Sequence, residues 1–143
     1  MNYLKWENLQ LNDMADYYFI DGKHLRIENL VTHNGSVFKI KKISKYNVTA
    51  DRGKGEVDFN IDELSPLKIT EFWLKKMNFE FDEFEKPKLK IPSELGYAKF
   101  ELNENGIFLI DGDQSTIGKE LRFVHQVQNL FFDLTGEELQ ISE

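Results

Sequence analysis

Hydrophobic and polar positions alternate over short stretches in the first half of the chain, and turn signals separate the stretches. Tyr17-Tyr18-Phe19-Ile20, Asp21-Gly22 and Lys23-His24-Leu25-Arg26-Ile27 read as strand, turn and strand, because Asp-Gly accepts the positive φ values of a tight hairpin turn. The device recurs at Asn34-Gly35, between Asn29-Leu30-Val31-Thr32 and Val37-Phe38-Lys39-Ile40. Tyr46–Ala50 and Val57–Ile61 form a further pair, joined by a connection that contains Gly53 and Gly55. Residues 17–61 thus predict about five short strands in meander order, for which an SH3-like small β-barrel is the first choice. Residues 1–16 have no clean period and read as a short helix or an arm.

Beyond Pro66 the period changes. Thr70 is placed to cap a short helix with Glu71 at its positive end and Lys75 and Lys76 at its negative end. Trp73, Leu74 and Met77 share one face, and Asn78 tolerates the left-handed conformation that ends a helix. Strand patterns return at Phe79–Phe84, Lys88–Ile91, Tyr97–Leu102 and Ile107–Ile110, the last two flanking Asn105-Gly106. Phe123, Val127, Leu130, Phe131 and Leu134 then repeat at helical spacing, a stripe predicted to be core, with Gly136 as C-cap. Leu139 and Ile141 suggest a short terminal strand. The expected class is α+β: residues 1–66 as arm and SH3-like barrel, residues 67–143 as a lobe of helix, small antiparallel sheet and C-terminal packing helix, together one compact unit.

Composition narrows the chemistry. The 143 residues include no Cys, which excludes disulfides, thiolate metal sites and a Cys nucleophile. No apolar run approaches the length of a membrane span, and the start lacks a signal-peptide pattern, so a cytoplasmic protein is expected. Of the net charge of −7, residues 1–70 contribute nothing, with ten Lys/Arg against ten Asp/Glu; residues 71–143 hold eight against fifteen. Such a chain repels free nucleic acid at long range, so binding of naked DNA or RNA is not expected. Its acidic half suits a basic surface on a protein or ribonucleoprotein, or serves solubility alone.

Several spacings fail as sites. Five residues separate Gly112 from Gly118-Lys119, and Glu120 follows, so there is no phosphate-binding loop. A calcium loop starting at Asp111 and Asp113 would need Gly where Thr116 stands and Glu where Arg122 stands. His24, His33 and His125 lack zinc spacing. No nucleophile elbow is present. No catalytic residue, metal or cofactor is therefore assigned. Three groups remain as candidates. Glu80, Asp82, Glu83 and Glu85 alternate with Phe79, Phe81 and Phe84, which predicts aromatics inward and carboxylates in water; in a cleft, such carboxylates would suit a hydrolase. Lys39, Lys41, Lys42 and Lys45 read either as a nucleic-acid stripe or as protection of an edge strand. His125, Gln126, Gln128 and Asn129 form a polar helix face that either meets a partner or packs inward to satisfy strand ends.

The segment from Leu121 to Leu139, LRFVHQVQNLFFDLTGEEL, resembles the C-terminal signature "YVHQLQNLYFALTG" of a family of small uncharacterised proteins from Bacteroidetes-type bacteria, their phages and prophages. His24–Val31 looks like the "LRIGNLV" strand of that family, and Thr70–Phe79 like its "TEEWLLKLGF" helix. The chain departs at Glu28 and Asn78, where the family has Gly, and at Asp133, where it has Ala; Glu28 puts a backbone turn in doubt. The resemblance implies no enzyme activity and a mobile-element setting, in which small acidic phage proteins bind and inhibit host machinery, RNA-guided nucleases included. The expected function is a non-enzymatic, anti-CRISPR-like interaction protein that binds a host protein or ribonucleoprotein in the host cytoplasm. The alternatives are a small-barrel RNA- or DNA-binding module and a carboxylate-based hydrolase. The polar helix face and the Glu80, Asp82 and Glu83 cluster are its expected partner-binding residues.

Overall fold

The structure, a computed structural model, describes residues 25–91, 96–102, 106–110 and 120–142. The expected strand Tyr17–Ile20, the arm, His24 and the Asp111–Lys119 stretch lie outside them. The chain divides into two compact units, Met1–Leu67 and Lys68–Glu143, beside the expected boundary at Pro66.

In the first unit, strands β1 (Leu30–His33), β2 (Ser36–Ile43), β3 (Asn47–Asp51) and β4 (Glu56–Asn60) follow one another as hairpins. A 3-10 turn at Ile61–Glu63 leads to β5 (Ser65–Pro66), which returns to pair with β1. The antiparallel order is β4-β3-β2-β1-β5. Asn34 and Gly35 make the first turn with φ of 50° and 83°, the two positive values a type I′ turn requires. Alternation then buries Val31, Phe38, Ile40, Val48, Ala50, Phe59 and Leu64, with Leu25, as one cluster.

Two expectations change here. The described part of the strand proposed at Lys23–Ile27 is a turn instead. The Asn29 carboxamide, fully buried, accepts from the Arg26 amide at 2.7 Å, and Glu28 takes a φ of 80°. The local side-chain bond outcompetes extension at this point. The turn that Glu28 put in doubt is therefore made without glycine. Among the described residues the sheet also does not close as a barrel: β4 and β5 are its edges there, and β5 ends after two residues at Pro66, which has no N–H to continue a ladder.

In the second unit, helix α1 (Glu71–Lys76) precedes β6 (Glu80–Phe81), β7 (Pro87–Lys90), β8 (Tyr97–Leu102), β9 (Ile107–Ile110) and helix α2 (Val124–Thr135). The sheet is antiparallel in the order β6-β7-β8-β9. The Thr70 hydroxyl accepts from the Trp73 amide at 3.3 Å, and Asn78 ends α1 with a φ of 67°. Leu74, Met77, Phe79, Leu89, Phe100, Ile107, Val124, Val127 and Phe131 are buried.

The C-terminal stripe is rotated from its expected position. Helix α2 buries Val124, Val127, Gln128 and Phe131, at i, i+3, i+4 and i+7. Leu130 is half-buried and Leu134 is 43% exposed. Phe123 is buried, but as a bridge to Lys68 ahead of the helix, so it does not set the helical phase. Gly136 caps the end with a φ of 75°, its amide donating to Phe132 O at 2.7 Å. The terminal strand proposed at Leu139 and Ile141 is absent. Those residues run as an irregular segment, tied down by Asn78, whose Nδ2 donates to Gln140 O at 2.9 Å and whose Oδ1 accepts from the Ser142 hydroxyl at 2.7 Å.

Candidate interaction surfaces

The lysines of the first unit are not on an edge. β2 is the middle strand, which removes edge protection as their explanation. A bulge at Lys41 turns both Lys41 and Lys42 to the outer face, beside Lys39. Glu28 lies 3.4 Å from Lys39 and 4.0 Å from Lys41, and the register puts Asp51 opposite Lys39. Thr49 faces Lys42 on one side and Asp58 on the other. Lys45 sits apart in the following turn, 5.2 Å above the Tyr46 ring. The outer face is thus mixed in charge and not a basic stripe. His33 is a structural residue: Nδ1 donates to Glu63 O and Nε2 accepts from the Asn34 side-chain Nδ2, each at 3.1 Å, and its ring lies 4.7 Å from Phe59.

The polar face of α2 turns inward for the most part. His125 and Gln128 are buried, the imidazole stacked on Phe123 at 6.1 Å. Gln126 caps the helix, its Oε1 accepting from the amides of Arg122 at 2.8 Å and Phe123 at 3.0 Å. Asn129 is half-buried beside them. Helix starts leave unpaired N–H groups, so a carboxamide three residues into the helix has local work to do.

The carboxylates of the β6–β7 hairpin are exposed, as expected, but Phe84 is not turned inward. Asp82 organises the turn. Its Oδ1 accepts from the amides of Phe84 at 2.8 Å and Lys86 at 2.9 Å, while its own amide donates to Lys86 O at 3.0 Å. The Lys86 amide foremost, with that of Phe84 and the charges of Lys86 and Lys88, holds the Asp82 carboxyl below the ordinary value of 3.8, against a smaller effect of desolvation. Glu85 takes a φ of 61° to complete the loop. Phe84 is left at its tip, 74% exposed, between Glu83 and Glu85. Phe79 alone of the three aromatics is buried, against Phe100 at 5.3 Å. Glu80, Asp82, Glu83 and Glu85 are all exposed.

Sequence reading missed the outer face of the second sheet. Lys88 and Lys90 on β7 and Tyr97, Lys99 and Glu101 on β8 share it, opposite the buried Leu89 and Phe100. Lys88 Nζ lies 4.6 Å from the Tyr97 ring centroid. The Tyr97 hydroxyl donates to Glu80, which raises its pKa, helped by that carboxylate's charge and by desolvation. Lys86 donates to Glu101 at 2.8 Å, which raises the lysine's pKa in turn. The signal available in the sequence was the alternation Lys86, Lys88, Lys90 and Tyr97, Lys99.

The second unit also has an open cleft of about 490 Å³ lined by Met77, Leu89, Phe131 and Leu139, with Asn78 and Glu138 among its polar groups. Among the described residues no group of three His, Cys, Asp or Glu could hold a metal ion, and no helix is long and apolar enough to cross a membrane. Comparison with protein-family models, with curated proteins and with solved structures found no match.

Proposed function

We propose that the protein is a non-enzymatic interaction module of the phage or prophage kind. It binds a host protein or ribonucleoprotein in the host cytoplasm and blocks it stoichiometrically, as an inhibitor of a defence nuclease does. The observation that carries this reading is the Asp82–Lys86 turn. A phenylalanine 74% exposed on a turn tied by one carboxylate is a pre-organised anchor. Burying it removes apolar surface from water without the entropy of ordering a loop. Glu83 and Glu85 flank the ring, so the matching surface is an apolar pocket rimmed by Lys or Arg. The resemblance of the C-terminal segment supplies the phage setting.

The first unit suits a small SH3-like barrel in this role. In support stand the four-strand meander, the 3-10 turn, and the fifth strand returning beside the first. Affinity capture from infected or lysogenic cells, with the wild-type chain and Phe84→Ala, tests the proposal. A discrete protein or ribonucleoprotein held by the wild type should be lost about thirtyfold with the variant, the scale of an interface hot spot. Equal retention by both chains, or nothing retained by either, overturns it.

A further inference from the structure

The outer face of the β7–β8 pair concentrates positive charge around one aromatic ring. Register sets Lys90 directly across from Tyr97 and Lys88 directly across from Lys99. Tyr97 therefore has one lysine opposite, one diagonal and one two residues along its own strand, all within reach on an antiparallel face. The ring remains 40% exposed. The carboxylates of the face are already engaged: Glu80 accepts the Tyr97 hydroxyl, and Glu101 accepts Lys86. Among the described residues Lys88, Lys90 and Lys99 make no ion pair. The row runs Glu80, Lys88, Lys99, and like charges directly across an antiparallel pair destabilise the sheet, so the Lys88–Lys99 pairing is offset only on the β6 side. It occurs in the half of the chain that carries the whole carboxylate surplus, where a compensating acid was the commoner residue.

We propose that this face binds a single strand of nucleic acid, with Tyr97 as the stacking surface for a base and Lys88, Lys90 and Lys99 on the phosphates. Charge complementarity selects a polyanion, and the aromatic ring among the cations selects one that carries flat bases. An acidic peptide would use the lysines and have no need of the ring. A duplex offers no unstacked base to a flat sheet. The net charge of −7 opposes approach at long range, but screening over about 8 Å at physiological salt leaves contacts within the patch intact. The site is independent of docking through Phe84 and moves nucleic-acid contact away from the lysines of β2.

The test is titration of the full chain against labelled oligouridylate and oligothymidylate of about twelve nucleotides, enough to cross one small sheet. Three phosphate contacts predict a slope of log affinity on log salt near −2, so affinity should fall about tenfold between about 50 and 150 mM salt. Replacing Lys88, Lys90 and Lys99 together by Gln should abolish binding. Tyr97→Leu should weaken it about tenfold at an unchanged slope, and Tyr97→Phe, which keeps the ring, should retain it. Lys42→Gln with Lys45→Gln, and separately Phe84→Ala, should bind as the wild type does. The ratio between the two oligonucleotides assigns RNA or DNA. Absence of binding at about 50 mM salt, binding that survives the triple Gln variant, or oligoglutamate competing as well as either oligonucleotide overturns the proposal.

Discussion

Among the described residues four other than glycine hold positive φ: Glu28, Asn34, Asn78 and Glu85. The two asparagines are the residue type that tolerates this best, and both were legible as turn or cap positions. The two glutamates were not, because nothing in a lone Glu announces a left-handed backbone; each sits in a turn where its own amide donates back into the fold, Glu28 to Ile40 O and Glu85 to Asp82 O. Asn78 adds a second role by anchoring the C-terminal segment through both ends of its carboxamide. Asn78→Gly keeps the backbone and loses the two bonds, so it should destabilise by about 1–2 kcal/mol. Asn78→Ala loses the bonds and adds left-handed strain, a further loss of about 1 kcal/mol. Urea denaturation of both variants measures the difference; equal losses would remove the backbone from the account. Asp82 has a pH signature. Its folded pKa is depressed, so its contribution to the turn is complete above the unfolded value and disappears as pH falls through the folded one, below 3.8. Hydrogen exchange at the Phe84 and Lys86 amides should show protection that persists to that range. In Asp82→Ala the protection should be missing at every pH, and a variant protected like the wild type would assign the turn to other contacts.

Helix α2 shows what periodicity leaves open. Five apolar residues at helical spacing identify a helix correctly, but they include Phe123, which precedes it, and so tilt the expected stripe toward Leu130 and Leu134. Two further buried positions on the helix are polar, His125 and Gln128, which hydrophobicity patterns place outside. Phe131→Ala should therefore cost about 3–5 kcal/mol, the range for a buried Phe. Leu134→Ala should stay within about 0.5 kcal/mol of the wild type. Thermal or chemical denaturation decides, and a Leu134 loss matching that of Phe131 would restore the original stripe. The β6–β7 hairpin departs from its expected pattern for a related reason. Three phenylalanines alternating with acids look like one strand, yet Asp82 breaks the alternation with side-chain bonds to two backbone amides, and Phe84 leaves the sheet.

For the molecule as a whole, the elements from Leu30 to Ile61, helix α1 and the pairing of β8 with β9 were legible because turn residues and alternation agree there. The surfaces were less so. Lysines at positions 39, 41, 42 and 45 attract attention because they are close in sequence, yet Glu28 lies against two of them. The lysines that do gather come from two strands, and only register makes Lys88 and Lys99 neighbours. Net charge by half-chain hid them too: the second half is acidic on average, while strand alternation sorts its bases onto one face and leaves Glu83 and Glu85 in a turn.

The bulge in β2 bears on how this chain tolerates changes in length. Lys39 and Lys42 face outward, while Ile40 and Ile43 share the face of Ala50 and Val48; Lys41 is the supernumerary residue between them. Loss of Lys41 would restore plain alternation and leave every other β2 side chain on its present face. Loss of a regularly paired neighbour such as Phe38 would carry the part of the strand on one side of the gap to the wrong face. A one-residue deletion in β2 is therefore accommodated at position 41, and homologous chains one residue shorter in this strand should align with their gap there.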